Sequence, residues 1–179
     1  MSSLSDIQVL IVDDNRQMRS LMRTLLRAAG VYRVAEAGDA LEAFDLMRAN
    51  PVHLILVDWM MTPVDGIAFT RMVRLSAESP DATVPILMMT AHTEASRVAA
   101  ARDSGVTGFL KKPISARVLF ERISSALLDS RAFVRTRDFF GPDRRRPTPA
   151  DYAGPFRRAS DGNRQGGETL DLDDVRWRA

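Results

Sequence analysis

Up to about residue 129 the chain alternates short apolar runs with stretches in which apolar residues recur every three to four positions. Ile7–Val12 is continuously apolar apart from Gln8, the pattern of a strand covered on both faces. Met18, Leu21, Met22, Leu25 and Leu26 then mark one face of a helix that ends at Gly30. Arg16, Arg19, Arg23 and Arg27 lie away from that stripe. Tyr32–Ala37 reads as a second strand, and Asp39 with Glu42 as a capping box for a helix through Met47. Leu54–Val57 is a third strand, followed by a loop with Pro63 and Gly66 and a helix over Ile67–Ala77. Val84–Met89 is a fourth strand, and an Ala-rich helix over Glu94–Asp103 closes at Gly105. Thr107–Leu110 is a fifth strand, and Ser115 caps a last helix carrying Val118, Leu119, Ile123, Ala126 and Leu127.

Strands alternating with helices predict an α/β domain, a doubly wound five-stranded parallel sheet with five helices. The pattern places this domain at residues 1–129 and leaves 130–179 as a largely irregular tail, disordered or bound to a partner. In such sheets ligands bind beyond the carboxyl ends of the strands, so the chemistry belongs there.

Composition narrows the choice. The chain has no cysteine, which excludes thiolate chemistry, disulfides and thiolate metal sites. Met1–Asp6 is short and polar, and no apolar stretch is long enough for a bilayer, so no membrane association and a cytoplasmic location are expected. Residues 1–129 carry 14 Lys+Arg against 15 Asp+Glu, and residues 130–179 carry 11 against 8. Lys111 and Lys112 are the two lysines among 25 Lys+Arg, which makes their position informative.

Strand one ends in Asp13-Asp14, strand three in Asp58 and strand four in Thr90, and strand five runs into Lys111-Lys112-Pro113. Three carboxylates brought together repel one another unless a cation sits among them. Hard oxygen donors suit Mg²⁺. A lysine ammonium can meet a phosphoryl oxygen as a point charge, and a threonine hydroxyl can donate to another. Singly, each residue has a plainer explanation: turn former, helix cap, solvated lysine. Their joint placement at successive strand ends is the signal.

These residues resemble the receiver domain of bacterial two-component response regulators. The match runs over residues 7–128 and rests on Val12-Asp13-Asp14, Leu56-Val57-Asp58 with Asp65-Gly66, Met89-Thr90-Ala91 and Lys112-Pro113. The resemblance implies the strand order 2-1-3-4-5. It implies Asp58 as phosphoacceptor, Asp14 as a direct Mg²⁺ ligand, Asp13 as holder of a metal-bound water, and the Met60 carbonyl as a further ligand. Thr90 and Lys112 would act on the phosphoryl group, and the Lys112-Pro113 peptide would be cis. Thr90 and Phe109 would be the switch residues. Two positions depart from the family's commonest pattern. Thr62 stands where a proline is usual, with Pro63 following. Phe109 stands where tyrosine is frequent, and a plain core role suits it as well.

The implied partners are a histidine kinase or a histidine phosphotransfer protein, docked near the first helix. A downstream protein would be met by the tail and by the face made of the 94–103 helix, strand five and the last helix. The implied role is a phosphorylation-switched signalling protein, not an enzyme. In the tail Gly-Pro-x-Arg-Arg occurs twice, at Gly141–Arg145 and Gly154–Arg158, among Phe139, Phe140, Tyr152 and Phe156. Residues 131–158 hold eight arginines against three aspartates and read as a protein-binding segment, while Asp171–Asp174 is an acidic end. The second reading, a transcription regulator whose basic tail contacts nucleic acid, lacks a recognisable DNA-binding module. A third, an aspartyl-nucleophile phosphatase of the haloacid-dehalogenase class, needs Asp-x-Asp after strand one, which Asp13-Asp14-Asn15 does not provide.

Overall fold

The computed structural model describes residues 4–91, 101–144 and 168–170. β1 (Gln8–Val12), β3 (Leu54–Asp58) and β4 (Ile86–Thr90) consist almost wholly of buried residues, as continuous apolar runs require of central strands. β2 (Arg33–Ala37) and β5 (Gly108–Lys111) are shorter on apolar residues and form the two edges. All pairings are parallel, in the order β2-β1-β3-β4-β5, which is the order the resemblance implied.

Alternate residues of each central strand feed opposite cores. Leu10, Val12, Ile55, Val57, Ile86 and Met88 pack with Phe44 and Met47 of α2 (Ala40–Ala49) and Phe69 and Val73 of α3 (Gly66–Leu75). Val9, Ile11, Leu54, Leu56, Leu87 and Met89 pack with Met22 and Leu26 of α1 (Arg16–Ala28) and Leu119 and Ile123 of α4 (Ala116–Leu127). Each helix starts at a side-chain cap: Asn15, Asp39, Asp65 and Ser115 accept from backbone N–H groups of the first turn. The Asp39–Glu42 box forms, with Glu42 reaching back to the Gly38 N–H.

Of the helix expected over 94–103, residues 94–100 lie outside the described residues; 101 and 102 are helical. The described residues thus hold four complete α-helices rather than the five expected.

The described part of the tail, residues 130–144 and 168–170, holds strands. Where an irregular segment was expected, β6 (Phe133–Arg135) and β7 (Phe140–Pro142) form an antiparallel hairpin, and β8 (Glu168–Leu170) pairs with the other edge of β6. Phe133, Val134 and Phe140 are buried. Their burial gives this short hairpin the apolar support that an isolated one lacks. The second Gly-Pro-x-Arg-Arg repeat, with Tyr152, and the acidic Asp171–Asp174 lie outside the described residues. Among the described residues no helix is long and apolar enough to cross a membrane.

Candidate functional site

The carboxyl ends of the five strands lie side by side in one rim, and backbone hydrogen bonds just beyond them join β1 to β2, β3 to β4 and β4 to β5. Asp13 N donates to Ala37 O (3.2 Å), Trp59 N to Met89 O (3.0 Å) and Lys112 N to Thr90 O (2.8 Å). Asp58 closes β3 and is buried, and Thr90 closes β4 and is buried. Lys112 Nζ donates to Asp58 Oδ1 at 2.6 Å, a charge-assisted bond. Lys112 is partly buried, whereas Lys111 is exposed, so Lys112 is the lysine of this rim. The Lys112-Pro113 peptide is cis, as the resemblance implied, and so is Thr62-Pro63.

Asp58 Oδ2 accepts from Met60 N at 3.1 Å. The turn after Asp58 brings the chain back on itself: Gly66 N donates to Trp59 O, and a Cβ at Gly66 would stand 2.4 Å from the Asp58 carbonyl oxygen. Asp65 caps α3 directly behind this contact. The Asp65-Gly66 pair therefore sets the geometry of the Asp58 loop.

Asp13 is fully buried. Its Oδ1 accepts from Asn15 N at 2.8 Å, while Oδ2 has no hydrogen-bond partner and lies 3.9 Å from Lys112 Nζ, an ion-pair distance. Burial raises its pKa above the ordinary carboxylate value. The Asn15 N–H opposes this, Asp58 and Asp14 add to it, and Lys112 works against it. Asp14 is exposed and turned toward the β3–α3 loop, with Oδ2 accepting from Thr62 N (3.1 Å) and Thr62 Oγ1 (3.4 Å). Among the described residues no three acidic or imidazole side chains are gathered for one metal ion. Asp13 and Asp58 are brought together, and Asp14 is held beside them by Thr62. A proline at position 62 would have neither donor.

The donor chemistry nonetheless suits a small hard cation. Two buried carboxylates share one lysine, and one buried carboxylate oxygen lacks a hydrogen bond. Phe109 is partly buried against the α2–α3 side core, the position of an ordinary packing residue.

A family model described as the response regulator receiver domain matches residues 9–124. The chain belongs to the response regulator receiver family. The receiver is 35% identical over 117 residues to the chemotaxis protein CheY of Pseudomonas aeruginosa, covering 65% of this chain and 93% of the relative. Among solved structures, chemotaxis protein CheY4 of Vibrio cholerae superposes with a TM-score of 0.61 at 30% identity, over 68% of this chain and 98% of that one. The receiver domain of a Pseudomonas aeruginosa sensor histidine kinase shares the fold, with a TM-score of 0.60 at 24% identity over 69% of this chain and 98% of that one. That structure has a magnesium ion coordinated in its active site cleft.

Sequence reasoning missed four contacts around the receiver's rim. Arg19, which lies away from the apolar stripe of α1, donates from Nη1 to Asp13 O at 2.7 Å and pairs with Glu36 at 3.5 Å. Arg23 pairs with the same Glu36 at 2.7 Å, so two of the four arginines are spent on β2. The opposite charge of Glu36 on the neighbouring strand was the available signal. The Thr62–Asp14 contact was foreshadowed by the departure from proline. Arg74, at the other end of the sheet, gave no signal at all.

Proposed function

We propose that this receiver accepts a phosphoryl group on Asp58 from a histidine kinase or histidine phosphotransfer protein and signals through protein–protein contact. The observation that carries the reading is the buried Asp58 carboxylate held 2.6 Å from Lys112 Nζ at the switch in strand order. A carboxylate oxygen of Asp58 attacks phosphorus, the P–N bond to the donor's phosphoimidazolium breaks with its electron pair going to nitrogen, and neutral imidazole leaves, keeping the proton already on its other ring nitrogen. The product is an acyl phosphate on Asp58. Lys112 stands where it can neutralise a phosphoryl oxygen, and Thr90 closes the neighbouring strand within the same rim. Asp14, Asp58 and the Met60 carbonyl would hold a Mg²⁺ ion, with Asp13 beside them as the second acid of the β1 end. When bound, that ion offsets negative charge on the transferring group. Thr90 and Lys112 then draw toward the phosphoryl oxygens, and Phe109 and the chain after Thr90 shift with them.

The chain consumes its own carboxylate and so acts as an acceptor, not as a catalyst of turnover. Output through a downstream protein is favoured over nucleic-acid contact by the use made of the described tail. Arg144 and the Phe133–Phe140 pair are engaged within the protein itself. Incubation with acetyl phosphate and Mg²⁺ should add one base-labile phosphate, and Asp58→Asn should abolish it. Undiminished labelling of that variant would refute the assignment.

A further inference from the structure

The hairpin of residues 131–144 is seated at the end of the sheet away from Asp58, and its seat is an awkward one. Arg74 of α3 is 1% exposed beneath it. Its Nε donates to Gly105 O (3.0 Å) and its Nη1 to Ala82 O (2.7 Å), but Nη2 has no partner. The Phe133 ring lies 5.1 Å from the guanidinium and packs on Phe140. The hairpin thus gains apolar burial while sealing a cation from water with one donor unmet. The Phe133 ring, at cation–π distance, is what the guanidinium has in place of water on that side.

The contact between hairpin and receiver has no slack. Gly105 has φ +97°, and a Cβ there would stand 2.5 Å from Phe140 O. A Cβ on Gly141 would stand 2.8 Å from Gly105 Cα. Around this point Arg144 donates to Arg102 O and to Asp103 Oδ1 (3.0 Å), and Arg131 Nη2 donates to Thr107 O (2.8 Å). One of these partners, Thr107, sits on a connector to the candidate site. Thr107 leads into β5, which runs directly to Lys112.

We infer that the 131–144 hairpin is a releasable cover on the receiver, and that its docking and the phosphorylation of Asp58 oppose each other. The inference rests on the phosphoacceptor reading above. Movement of Lys112 toward a phosphoryl group displaces β5 and, with it, Thr107, to which Arg131 of the hairpin is bonded. A glycine-to-glycine contact with no room for a methyl group does not tolerate that displacement. Once the contact opens, hydration of Arg74 favours the open form. Because coupling is reciprocal, loosening the hairpin strengthens binding at Asp58 by the same factor.

The test uses the full chain. Amide exchange across residues 132–143 is compared before and after acetyl phosphate and Mg²⁺, with mass spectrometry locating the phosphate. Exchange should rise at least tenfold in the phosphorylated chain and stay unchanged in Asp58→Asn treated alike. In the second arm, Arg144→Ala, which removes the contacts to Asp103 and Arg102, should raise affinity for beryllofluoride, an acyl-phosphate mimic, several-fold. Unchanged protection with phosphate on Asp58, or unchanged beryllofluoride affinity in Arg144→Ala, overturns the coupling. Absence of phosphate on Asp58 overturns the phosphoacceptor reading itself, and the coupling with it.

Discussion

Asp13 shows how much an individual residue of this rim gives up to be where it is. Its carboxylate is buried, its pKa is raised chiefly by that burial, and one oxygen lacks a hydrogen bond. Between the ordinary carboxylate value and the raised one, the folded chain keeps a proton that the unfolded chain has lost. Stability therefore falls as pH rises through that window, and the penalty is complete above it. Asp13→Asn should raise Tm by a few degrees at pH 7 without added divalent ion. The gain should shrink as pH is lowered into the window; thermal denaturation across pH checks both. A variant less stable than wild type at pH 7 would contradict the account. Asp13, Asp58, Thr90 and Lys112 were legible in the sequence because strand ends are marked by the apolar runs before them. The orientation of Asp14 toward Thr62 was not, since nothing in a residue's identity says which of two nearby partners it takes.

At the scale of elements, β1, β3 and β4 could be read because both of their faces are buried and the runs are continuous. Helix starts were read from caps, and Asp39 and Ser115 act as expected. The hairpin was not read. Its strands are three residues each, and their burial depends on a partner surface made by Arg74 and Gly105, distant in sequence. Gly141 and Pro142 are buried in β7, where Gly141 allows the close approach to Gly105. Gly141→Ala should therefore loosen the hairpin while leaving the five-stranded sheet intact, at a cost of about 1–3 kcal/mol. Amide exchange resolves the two: residues 133–142 should lose protection, and β1, β3 and β4 should keep theirs. Equal protection of the hairpin in variant and wild type would show that the contact has room after all.

For the whole molecule, the relevant question is what the hairpin adds to a receiver whose relatives are covered almost from end to end by the match. The sheet and its flanking helices have their own two cores, neither of which includes Phe133 or Phe140. A chain ending at Ser130 should therefore fold and still be labelled on Asp58. It should nonetheless be less stable, because Phe133, Val134 and Phe140 lose their burial, partly offset as Arg74 regains water. Three such side chains are worth about 1.5–3 kcal/mol each when fully buried. Some of that is burial against one another, and re-hydrating a guanidinium returns part of the remainder, which leaves a net loss of about 2 kcal/mol. Arg74 separates the two contributions. Burial presses its pKa down to about 9, so it is still a cation at neutral pH, and it has no carboxylate bonded to it. In the full chain, Arg74→Met exchanges a buried cation for an apolar side chain and should leave stability unchanged or raise it. In the truncated chain the same substitution places an apolar side chain on the surface and should bring no such gain. Thermal denaturation of the four proteins closes the cycle. A full chain that loses more from Arg74→Met than the truncated one does would show that the guanidinium anchors the hairpin and does not resist it.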